Sequence, residues 1–285
     1  MFARSPRVVR TFRRRPRHRP RMSGLSINRL IPNILTLLAL CAGLTAIRFG
    51  LHGRWQLAVA SVLLAGILDG LDGRVARLLQ GTSKFGAELD SLSDFVCFGV
   101  APALLLYLWA MERAGGIGWA LALLYAVCCA LRLARFNTMM GAADMPPYAY
   151  NFFVGVPAPA AAGLVLLPMI LEFRIGPGIF DQPPVVAVAL LGVSFLMVSQ
   201  VPTFSAKRVR IPHRWVLPML LVVGVATAFL VSEPWLTLAA LGLIYLGLIP
   251  ISVRAFRRLR RHAEAMAAAE SPPSAPAEGH AAPPS

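Results

Sequence analysis

Asp69, Asp72, Asp90 and Asp94 are four carboxylates in a short stretch of chain whose surroundings are apolar enough to lie in a bilayer. A charged side chain at mid-membrane costs roughly 2.5–3.5 kcal/mol even on insertion scales, so four without counter-charge would cost on the order of 10 kcal/mol. Something cationic must sit among them. In the stretch Asp69-Gly70-Leu71-Asp72-Gly73-Arg74-Val75-Ala76-Arg77, intervals of three and four put Asp69, Asp72, Gly73, Ala76 and Arg77 on one helix face. Gly81-Thr82-Ser83 breaks that helix. Asp90 and Asp94, four apart, share a face of the next helix, which starts near Gly86. Two antiparallel helices can then aim two carboxylates each at one point. An all-oxygen donor set suits Mg²⁺ or Mn²⁺ better than zinc, and Mg²⁺ favours sites completed by substrate phosphates. Gly73 and Ala76 leave room on the carboxylate face for a large ligand, and Arg77 offers a fixed cation to phosphate oxygens. The competing reading pairs the acids with Arg74, Arg77 and Lys84 in a fold-stabilising network. Against it, the acids outnumber the bases and Arg74 lies off the shared face.

The elements that must position these groups are membrane helices. Hydrophobic residues make up 57% of the chain, charged residues only 14%, and the mean hydropathy is +0.65, which excludes an ordinary soluble domain. Apolar runs at 34–49, 55–68, 95–111, 119–133, 154–171, 185–201, 215–231 and 235–251 approach the roughly 20 residues a helix needs to cross hydrocarbon. They predict an all-α polytopic bundle of about eight spans. The leading segment, residues 1–29, carries nine arginines from Arg4 to Arg21 broken by Pro6, Pro16 and Pro20, and reads as a disordered basic tail. The net charge of +15 would suggest nucleic acid in a soluble protein. Here the basic tail reads as a topology signal that also touches anionic lipid headgroups, with no nucleic-acid partner expected. With that tail in the cytoplasm, Arg132 and Arg135, then Lys207, Arg208, Arg210 and Arg214, then Arg254 to Arg261 all fall on the cytoplasmic side, as do both termini. The catalytic membrane domain is expected over 30–262, followed by an Ala/Pro-rich disordered tail over 263–285. Cys41, Cys97, Cys128 and Cys129 lie in apolar runs and read as small packing residues.

The string D-x-x-D-G-x-x-A-R, eight residues, then G-x-x-x-D-x-x-x-D is filled at every fixed position from Asp69 to Asp94. It resembles the signature of the CDP-alcohol phosphatidyltransferases. The resemblance implies a membrane enzyme that displaces CMP from a CDP-linked lipid with an alcohol, and the span parity puts its site at the cytoplasmic face of the inner membrane. It further implies that Asp69, Asp72 and Asp90 hold a metal ion with help from Asp94, that Asp94 deprotonates the alcohol, and that Gly73, Ala76 and Arg77, with Gly86 and Asn33 beside them, contact the CDP-lipid. A homodimer is also implied.

Further strings narrow the acceptor. Pro32-Asn33-Ile34-Leu35-Thr36, Arg132-Leu133-Ala134-Arg135-Phe136-Asn137, Gly155-Val156-Pro157-Ala158-Pro159, and Pro202-Thr203-Phe204-Ser205-Ala206-Lys207 resemble the branch of that family that joins CDP-diacylglycerol to L-serine, with Ala158 where a serine is expected. Free serine presents a carboxylate, an ammonium and a hydroxyl. Arg132, Arg135 and Lys207 can neutralise its carboxylate or a lipid phosphate, and Asn137, Thr203 and Ser205 can hydrogen-bond its polar ends. Arg or Lys at a cytoplasmic helix end also serves as an interfacial anchor. Two alternatives stay open: the same chemistry with glycerol 3-phosphate or inositol phosphate as acceptor, and, more remotely, a transporter or cation channel in which the aspartates line a path.

Overall fold

The structure is a computed structural model that describes residues 27–79, 81, 83–139, 152–199, 202–204 and 216–270. Each apolar run folds as helix, because a backbone in hydrocarbon must satisfy its polar groups internally. In chain order these are α1 (Ile27–Leu51), α2 (Trp55–Leu78), α3 (Lys84–Asp94), a π-helical turn (Phe95–Val100), α4 (Ala101–Trp109), a 3₁₀ turn (Met111–Ala114), α5 (Gly115–Met139), α6 (Ala158–Val165), α7 (Leu167–Ile175), α8 (Pro183–Val198), α9 (Val216–Ser232) and α10 (Pro234–Glu270). Six helical stretches are long and apolar enough to cross a membrane; α8 and α9, with 16 and 17 residues, are apolar but shorter. Two three-residue strands that the periodicity gave no hint of, β1 (Phe152–Val154) and β2 (Pro202–Phe204), pair antiparallel, with Phe153 opposite Thr203.

Proline explains two of the breaks. Pro168 has no N–H for the carbonyl of Leu164, and α6 gives way to α7 there. Pro102 likewise cannot donate to Phe98 four residues back, and the chain widens into the π-turn just before it. The hydroxyl of Tyr125 on α5, fully buried, donates to the Phe98 carbonyl at 2.8 Å and fills the missing bond.

The core lies where α1 packs along α2 and against α3, the π-turn and α4, while α5 packs against the π-turn, α4 and α8. Small residues let these helices approach: Ala46, Ala58 and Ala65 are fully buried. Leu105, Leu106 and Met169 fill the wider gaps. By contrast α9 buries none of its residues and packs on α10, as suits a helix whose neighbour is lipid. The last helix runs on to Glu270, so the stretch expected to be disordered from residue 263 begins as a continuation of α10.

Candidate metal centre and active site

The two helices carrying the acids are joined by a short turn. Helix α2 ends at Leu78, and Ser83 caps α3, its hydroxyl accepting from the Gly86 N–H at 3.0 Å. This hairpin sets Asp69 and Asp72 of α2 against Asp90 of α3, with one carboxylate oxygen from each lying within 4.8 Å of the others. Asp94 joins the group through Asp69, whose carboxyl is within hydrogen-bonding reach of both Asp90 and Asp94. Asp72 is buried at 5% exposure, and the other three are half-buried.

No cation of the chain forms an ion pair with this group among the described residues. The ion pairs there are Arg113–Asp181 and Arg174–Glu233, both at other loops. Arg77 is exposed and gives its Nε–H to the Gly73 carbonyl at 2.9 Å; Arg74 and Lys84 are exposed as well. The fold-stabilising network of acids with Arg74, Arg77 and Lys84 is therefore not formed. Three converging hard oxygen donors with no internal counter-charge are the donor set a divalent cation such as Mg²⁺ requires, and Asp69, Asp72 and Asp90 could hold one.

Around the acids, the other expected residues divide. Gly73 is exposed and a side chain there would meet nothing within 4 Å, so the carboxylate face opens on free space; Ala76, half-buried, stands one turn further on. At Gly86 a β-carbon would come 2.8 Å from Oδ1 of Asn33, so the bare glycine lets the Asn33 side chain of α1 lie against the start of α3 without shifting. Asn137, at the end of α5, donates from Nδ2 to Ser91 Oγ at 2.9 Å, on the helix turn between Asp90 and Asp94. Arg132 is half-buried, donates from Nε to the Val156 carbonyl, and stands near enough to Asp94 for their charges to interact. Arg135 is exposed at the helix end. Thr203 lies in β2 with its backbone described; its side chain, and Ser205 and Lys207, fall outside the described residues.

The segment that Arg132 holds is shaped by Gly155, whose φ of +77° strains any L side chain, and whose β-carbon would in addition meet the Met197 carbonyl oxygen at 2.8 Å. Val156 N–H then donates to the Leu196 carbonyl at 3.4 Å, tying the start of α6 to the end of α8. Sequence reasoning gave no role to Thr36, Ser91, Ser93 or Tyr125. Thr36 donates to Asp72 Oδ2 at 2.6 Å, and Ser93 donates to the Thr36 carbonyl at 3.3 Å. The available signal was a buried-type hydroxyl in an apolar run, which every membrane helix offers for its own backbone.

Comparison with known proteins agrees with this geometry. The family model for CDP-alcohol phosphatidyltransferase matches residues 29–199, and a second, CDP-alcohol phosphatidyltransferase 2, matches residues 214–250. A protein of Mycobacterium bovis named CDP-diacylglycerol–serine O-phosphatidyltransferase is 41% identical over 235 residues, 82% of each chain. Proteins of the same name from Helicobacter pylori and Bacillus subtilis are each 37% identical, over 76% and 60% of this chain and 88% of their own lengths. A family model spanning more than half of the residues, together with relatives matched over most of the chain, shows that this protein belongs to the CDP-alcohol phosphatidyltransferase family of membrane transferases.

Proposed function

We propose that the protein transfers a phosphatidyl group from CDP-diacylglycerol to L-serine with release of CMP. The observation that carries this reading is the convergence of the Asp69, Asp72 and Asp90 carboxylates without a cationic partner, at the end of a hairpin that holds the family signature. The acceptor follows from the names of the relatives and from Arg132 and Asn137 standing beside the acids.

In this reading Asp69, Asp72 and Asp90, with Asp94, hold a Mg²⁺ or Mn²⁺ ion. When bound, such an ion neutralises the pyrophosphate oxygens and stabilises the departing CMP. Gly73 and Ala76 leave the backbone open to the CDP moiety, Arg77 faces its phosphates, and Asn33 and Gly86 frame the far side. Arg132, Arg135 and Lys207 hold the serine carboxylate or the lipid phosphate, and Asn137, Thr203 and Ser205 orient the amino acid. Asp94 accepts the proton of the serine hydroxyl. The serine oxygen then bonds to the diacylglycerol-bearing phosphorus as the phosphoanhydride bond to CMP breaks, so CMP leaves with that bonding pair.

The catalytic domain spans 30–262, between a basic tail at 1–29 and an Ala/Pro-rich end. All eight apolar runs cross the inner membrane, with both termini and the acids at the cytoplasmic side, as the arginine distribution supports. The assembly is a homodimer, as the family resemblance implies. The test is to give purified protein CDP-diacylglycerol with L-serine, glycerol 3-phosphate or inositol phosphate in turn and to measure CMP. Serine alone should support release; release with a phosphorylated alcohol and none with serine would overturn the acceptor.

A further inference from the structure

Thr36 stands on α1, outside the aspartate signature, and is 4% exposed. Its hydroxyl lies 2.6 Å from Asp72 Oδ2 and 3.1 Å from the carbonyl of Pro32, the ordinary partner of a threonine inside a helix. A hydroxyl has one proton to donate. The shorter distance and the charged acceptor assign that proton to the carboxylate. The carbonyl of the same residue accepts from Ser93 Oγ at 3.3 Å, and Ser93, itself 3% exposed, sits between Asp90 and Asp94 on α3. One residue of α1 thus touches both acid-bearing helices at the depth of the acids. No cation of the chain fixes Asp72 among the described residues, so the threonine hydroxyl, together with the backbone N–H of Gly73 on the same helix, restrains its carboxylate, and of the two only the threonine comes from another helix.

We propose that Thr36 is a positioning residue for the metal centre, orienting Asp72 so that its remaining lone pairs face the ion. This rests on the reading of the aspartates as metal ligands. A partner of this kind, bonded to a ligand and not to the ion, typically changes metal affinity by roughly 10- to 100-fold when removed. The hydroxyl does so by fixing ligand direction before the ion arrives, and the Ser93 bond keeps the facing helix in step.

The experiment uses the full chain in detergent, stripped of metal, with free Mn²⁺ followed by electron paramagnetic resonance and thermal unfolding measured without metal. Thr36→Val keeps the shape and removes the donor. It should weaken Mn²⁺ binding by roughly 10- to 100-fold while the metal-free unfolding temperature stays near wild type. Thr36→Ser should restore the affinity. Asp72→Asn serves as the control that loses binding. If Asp72→Asn weakens binding and Thr36→Val does not, the positioning role is wrong and the metal reading stands. If Thr36→Ser fails to restore affinity, the effect is one of shape and the proposal is overturned. If Asp72→Asn binds Mn²⁺ like wild type, the metal reading falls and the proposal with it. Should Thr36→Val not fold, Thr36→Ala carries the same comparison.

Discussion

The two ends of the bundle treat acidic side chains in opposite ways. At the end where α2 meets α3, Asp69, Asp72, Asp90 and Asp94 crowd together and no arginine or lysine among the described residues pairs with them. At the other end, two loop acids each have a base. Arg113 after α4 meets Asp181 before α8 at 3.1 Å and also bonds its carbonyl, and Arg174 of α7 meets Glu233 before α10 at 3.8 Å. In these two pairs the chain supplies the counter-charge itself. Where the chain withholds the counter-charge, the proposed divalent cation is what would supply it.

This contrast can be broken most severely at Asp94. Replacing Asp94 with Asn keeps the side chain's size and removes its capacity to take a proton, so CMP release should fall by roughly 10²–10⁴-fold with the protein still folded. An unchanged rate in a folded variant would remove the general-base role and reopen the transport reading. A smaller effect, on stability and not on chemistry, is expected at the support of the hairpin. Tyr125→Phe leaves the buried Phe98 carbonyl without its donor, which should cost about 1–3 kcal/mol, seen as a lower unfolding temperature. No loss of stability would mean that the π-turn satisfies that carbonyl by itself. The least effect belongs to the opposite end. The Arg113–Asp181 pair is half open to the surroundings, so Arg113→Gln should change stability by less than about 1 kcal/mol and leave CMP release intact. A large loss of activity from that change would erase the distinction between the two ends.

The aspartate face was legible because spacings of three and four fix direction within a helix before any packing is known. The hairpin between the acids was legible for a similar reason, since Gly81 and Ser83 stop one helix and cap the next. What lay beyond reach were bonds between distant segments. Thr36 meets Asp72 across 36 residues and Tyr125 meets Phe98 across 27, and neither pairing has a local pattern. The β1–β2 pairing was hidden because three-residue strands carry too little alternation to show a period. The last helix outlasted its apolar run because its Ala- and Arg-rich continuation is made of good helix formers. Among the basic residues, position in the helix decided the outcome: Arg132 is half-buried and bonds the Val156 carbonyl, and Arg135, three residues on, lies exposed at the end of α5.

The central claim is that the unpaired aspartates serve a divalent cation used in phosphatidyl transfer. It is tested most directly by CMP release from CDP-diacylglycerol and serine after chelation of metal and on its return. The account expects no CMP after chelation and full recovery with Mg²⁺ or Mn²⁺; release that continues at the original rate in excess chelator would contradict it.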